Sequence, residues 1–118
     1  MAFSPSDKEQ VVEGLIAARR QAQLAELSLR SQGQNQQADN VHAATAALST
    51  KIDALIAAMM RDWLGQVDHV IGDLKARTSD LEKAVDQIKK QVQIAQTVVK
   101  VIGFVDQAVA IAAKVLAA

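Results

Sequence analysis

Two histidines and a scatter of carboxylates are what the sequence offers for chemistry, and only one arrangement among them is suggestive. His69 follows Asp68 directly and precedes Asp73 by four residues, so on a helix His69 and Asp73 share a face and could hold a metal between them. Two ligands do not make a site, and the Glu-x-x-His pairs of di-iron bundles are absent. His42 has Asp39 as its one acidic neighbour at helical spacing, and an exposed histidine is the simpler reading of both. With no cysteine and no tyrosine, and no glycine-rich loop after a strand, the usual nucleophiles, disulfides and phosphate cradles are missing. The expectation is a protein that is not an enzyme and holds no metal or cofactor.

Charge narrows the partners. The 13 basic residues balance 13 acidic ones, and the doublets Arg19-Arg20 and Lys89-Lys90 each lie within a turn or two of acids, which argues against nucleic acid. The opening MAFSPSDKEQ is polar where a signal peptide needs an apolar core, so a cytoplasmic location is the default, with secretion lacking a cleavable signal left open.

What must position any functional residue is a set of helices. Half of the 118 residues are apolar and aromatics are only Phe3, Trp63 and Phe104, a composition that favours helix over sheet. From Leu64 to Leu116 a seven-residue pattern persists: Val67, Leu74, Leu81, Ile88, Ala95, Ile102, Val109 and Leu116 in one row, flanked by rows through Val70, Val98 and Val105 and through Leu64, Ile71, Val85, Val92 and Val99. These rows share one side of a helix, and such a stripe stabilises a helix only when buried against others. The residues expected to form an interface are therefore Leu64, Val67, Val70, Ile71, Leu74, Leu81, Val85, Ile88, Val92, Val99, Ile102 and Val105.

The first helix is expected at about residues 5–31. Pro5 suits its first turn, Ser6 with Glu9 reads as a capping box, and Val11, Leu15, Ala18, Ala22, Ala25 and Leu29 keep a 4-3 spacing. Residues 31–40, SQGQNQQADN, read as a Gln-rich connecting loop, with Asp39 or Asn40 capping the next helix. Residues 40–117 then form either one continuous helix or helices broken near 63–65, where the apolar face rotates beside Trp63, or near 77–79, where Ser79 and Glu82 suggest a cap. The chain is read as one α-helical domain over 1–118, an antiparallel bundle or coiled coil of two to three long helices.

Two further features bear on partners. From Asp39 to Leu74 five acids face two bases, and from Lys75 to Lys100 six bases face three acids, which favours antiparallel pairing of these halves within one chain or between two. From Ile94 onward the helix is apolar around most of its circumference, interrupted by Lys100, Asp106, Gln107 and Lys114. Those charges argue against a bilayer span but leave contact of 94–118 with a lipid surface open. In pattern alone, long amphipathic helices leading to an apolar segment resemble helical pore-forming toxin subunits, secretion-system components and phasin-like coats, as do many unrelated coiled coils. The expected function is structural or interactive: a homo-oligomer, with a dimer favoured, or a module docking a helical protein partner. The alternative is a membrane-active or membrane-surface protein.

Overall fold

Ser4 starts the first helix. Its hydroxyl accepts from the Asp7 N–H at 3.1 Å while its own N–H donates to the Asp7 carboxylate at 2.9 Å, a reciprocal capping box with Pro5 in the first turn. This cap lies two residues before the expected Ser6 and Glu9, because Asp7 reaches back as Glu9 was expected to. The computed structural model describes residues 3–116 and contains four helices: α1 Pro5–Ser31, α2 Asn35–Ala57, α3 Val67–Lys89 and α4 Ile94–Leu116.

Two of the three connections are helix ends of the same kind. After α1, Gly33 takes φ +78°, its N–H bonds the Arg30 carbonyl and the Gln34 N–H bonds the Leu29 carbonyl, which is a Schellman closure. After α3, Gln91 takes φ +59°, its N–H bonds Ile88 and the Val92 N–H bonds Gln87 in the same pattern. The first turn leaves only residues 32–34 outside helix, so most of the expected Gln-rich loop is the first turns of α2, and neither Asp39 nor Asn40 caps it. The second turn divides what was expected to be one helix at a place where no glycine signalled an end. The break near 63–65 is present, within a connection over 58–66. No break occurs at 77–79: α3 runs through, and the Thr78 hydroxyl bonds the Leu74 carbonyl one turn back.

The chain passes alternately up and down through a bundle of four helices, about 45 × 21 × 17 Å. α1 packs against α2 and α3, α4 packs against the same two, and α2 and α3 lie on a diagonal without touching. Lys8 of α1 reaches the end of α2, while Gln32 reaches the carbonyl of Ile88 at the end of α3, so α1 is antiparallel to α2 and parallel to α3. The expected antiparallel pairing of the acidic half with the basic half is not formed within the chain, since the 58–66 connection carries the chain across the bundle rather than to a neighbour.

The core is heptad-like in each helix but changes phase between them. Leu15, Leu29, Leu48, Ile52, Leu55, Leu74, Leu81 and Ile88 are fully enclosed, and Ala18, Ala22 and Ala25 bring α1 close to its neighbours. In α4 the inward residues are Val98, Val101, Val105, Ala108, Ala112 and Val115. The row that α3 buries continues in α4 as Ala95, Ile102, Val109 and Leu116, all exposed or half-buried. The turn at 90–93 rotates the buried face, so the row read as continuous is inside in one helix and at the margin in the next.

One end of the bundle, here the lower, is closed by side chains. Trp63 is 4% exposed and donates its indole N–H to the Ala58 carbonyl at 2.9 Å. The Phe3 ring packs on it at 5.9 Å. Lys8 crosses beneath, its ammonium donating to the carbonyls of Met59 at 2.8 Å and Arg61 at 2.6 Å and lying 5.6 Å from the indole. The Leu64 N–H reaches the Val115 carbonyl and ties the connection to the end of α4.

Candidate interaction surface

The residues expected at an interface divide between core and surface. Val70, Leu74, Leu81, Val85, Ile88 and Val105 are buried within the chain's own bundle; Val67, Ile71 and Ile102 are half-buried; Leu64, Val92 and Val99 are exposed. The structure thus brings the first group together around one core and leaves three apolar side chains outside it.

The histidines find acidic neighbours. His69 Nε2 lies 3.2 Å from Asp73 on an exposed helical turn, as the spacing suggested. With Lys114 they rim a cleft of about 270 Å³ floored by Val70, Ile111 and Val115. His42 Nδ1 lies 3.0 Å from Glu26 of α1, a contact that 16 residues of separation hid from a reading along single helices. Among the described residues no three histidine or acidic side chains gather closely enough to hold a metal ion.

Polar cover distinguishes the four grooves between neighbouring helices. Across α1 and α2, Arg30 pairs with Asp39, His42 with Glu26, and Arg19 bonds Ser49. Across α3 and α4, Arg77 bonds Gln107 and Thr97 bonds Gln87. Across α1 and α3, Gln32 bonds the Ile88 carbonyl. Among the described residues no side-chain hydrogen bond or ion pair spans the groove between α2 and α4.

Helical geometry identifies what lines that groove. Since Asp39, His42 and Ser49 face α1, the opposite flank of α2 consists of Gln37, Asn40, Ala44, Ala47, Lys51 and Ala54. Since Thr97 and Gln107 face α3, the opposite flank of α4 carries Ala95, Val99, Ile102, Asp106, Val109 and Ala113. Asn40, Ala47, Ala95, Val99 and Asp106 are exposed and the others half-buried, with Val99 at 69%. Lys51 and Asp106 are the charges here, and neither has an ion-pair partner among the described residues. By contrast, α1 and α3 expose Glu9, Glu13, Arg20, Lys75, Glu82, Lys83 and Lys89.

The α4 flank keeps a 4-3-4-3-4 spacing from Ala95 to Ala113, so this helix carries a second heptad seam beside its buried one. The sequence placed Ala95, Ile102 and Val109, and beside them Val99, in the heptad rows expected to form an interface, but ran those rows on into the buried residues of α3; sorting inner from outer seams requires the position of the turn at 90–93. No helix of the described residues is long and apolar enough to cross a membrane. The chain matches no family model, no curated protein and no solved structure.

Proposed function

We propose that the protein is a structural or protein–protein interaction module that self-associates or docks a helical partner through an apolar helix face. The observation that supports this reading is the α2/α4 groove, where exposed Val99 and half-buried Ile102 and Val109 stand beside alanines with no polar bridge over them. An apolar surface with few charges gains free energy by leaving water, and heptad spacing provides the register for a helical neighbour. Catalysis has no part in this reading.

Sedimentation equilibrium from micromolar to several hundred micromolar tests the self-associating form, for which a mass above the 12.6 kDa of one chain is expected. A strictly single-chain mass restricts the reading to a foreign helical partner. That form is then tested by photo-crosslinking from position 99 in the source cells; the absence of any crosslinked protein refutes it. Flotation with neutral and anionic vesicles addresses the membrane-surface alternative, in which α4 would leave the bundle and place its apolar side on lipid. Recovery with the vesicles, accompanied by loss of the α4 packing, would favour that alternative.

A further inference from the structure

Resting on the self-associating form of that reading, we infer that the occupant of the α2/α4 groove is the same groove of a second copy, with α2 of each chain lying along α4 of the other. Three observations select this occupant. The chain has zero formal net charge, so two copies approach without long-range repulsion. The groove lacks the polar bridges found over the other three, so covering it breaks none. Its two charges are opposite in sign and both lack partners.

The charges also select the arrangement. α2 and α4 are parallel and each 23 residues long. Lys51 follows the first residue of α2, Asn35, by 16, and Asp106 follows the first residue of α4, Ile94, by 12. The difference of four residues is about 6 Å of helical rise, within reach of a lysine side chain. A twofold axis along the bundle sets α2 over α4 of the other copy, and Lys51 meets Asp106 twice. A twofold axis across the bundle sets α4 antiparallel on α4 and brings Asp106, near the middle of its helix, against itself. Like charges in juxtaposition disfavour that arrangement. In the favoured one Ile102, eight residues into α4, stands nearly level with Ala44, nine residues into α2 of the second copy, a large side chain against a small one, as interdigitation requires.

The test is sedimentation velocity on the full chain and five variants, with circular dichroism to confirm helicity. Val99→Lys should raise the dimer dissociation constant roughly a hundredfold, because each copy contributes one buried valine. Leu27→Lys, at a residue 62% exposed in the α1/α2 groove, should leave it unchanged. Lys51→Glu and Asp106→Lys should each weaken association roughly three- to tenfold, and the double variant should restore it. A dimer indifferent to Val99→Lys would overturn this interface and leave self-association standing. Loss of the dimer in Val99→Lys without mutual rescue of the charge variants would overturn the pairing of α2 with α4. A wild-type chain monomeric at every concentration would overturn the inference together with the self-associating form of the function.

Discussion

The two ends of the bundle are closed by different means. At the upper end two turns of three and four residues satisfy the last carbonyls of α1 and α3 mainly with backbone N–H groups, and their side chains are exposed except those of Gln32 and Gln34, of which Gln32 adds a single bond to the Ile88 carbonyl. At the lower end the 58–66 connection crosses the bundle diagonally, too long for such closure, and side chains from three segments finish the job: Phe3, Lys8 and Trp63. A short turn between adjacent helices solves its hydrogen bonding locally, whereas a diagonal crossing must borrow groups from elsewhere in the chain. The lower end should therefore be sensitive to side-chain truncation and the upper end to backbone conformation.

Trp63→Ala should have the largest effect, about 3–5 kcal/mol lost in urea unfolding, because it removes an enclosed aromatic and leaves Phe3 without its neighbour. Lys8→Met keeps the apolar stem but deletes the ammonium that serves two carbonyls, and about 2 kcal/mol should be lost. A Lys8→Met variant as stable as wild type would mean that water replaces the ammonium, and the contrast between the ends would weaken. At the upper end the paired turns offer an internal comparison. Gln91→Gly should gain about 1 kcal/mol by relieving a left-handed conformation, while Gly33→Ala should lose about as much by introducing one. If both changes proved neutral, the turns would not be the determinants described.

The smallest effect concerns Asp7. The Ser4 backbone N–H, and then its hydroxyl, hold the Asp7 carboxyl below the ordinary carboxylate value. A lowered folded-state value stabilises the fold above the unfolded value, and that stabilisation is lost as pH falls through the folded one. The melting-temperature difference between wild type and Asp7→Asn should therefore be steady from neutral pH to about pH 4 and shrink below it.

What the sequence disclosed follows the same division. The span of α1 was legible because Pro5 and Gly33 mark its ends, and the rotation of the apolar face beside Trp63 marked one of the two alternative breaks, the one where the diagonal connection lies. The end of α3 was not legible, since Gln91 occupies a position where glycine is the usual signal. Nor could the heptad rows reveal it. α4 is apolar on so many rows that the pattern from α3 finds a continuation whether or not the helix continues. The fourth helix, the phase of its core and the uncovered groove all depend on that one turn. The polar residues at 34–40 read as a loop although α2 begins at Asn35, because Ala38 is the one apolar residue buried there, too little to show a periodic face.

The diagonal crossing also orders events in time. α1 with α2, and α3 with α4, are hairpins whose ends close over three or four residues, so their contacts are of low contact order and cost little chain entropy. Contacts between α1 and α3, such as Gly14 against Leu74, join residues 60 apart in the chain. Two preformed hairpins are thus expected to dock face to face, with Trp63 seated only as they meet. Replacing Trp63 should consequently accelerate unfolding while leaving the folding rate nearly unchanged.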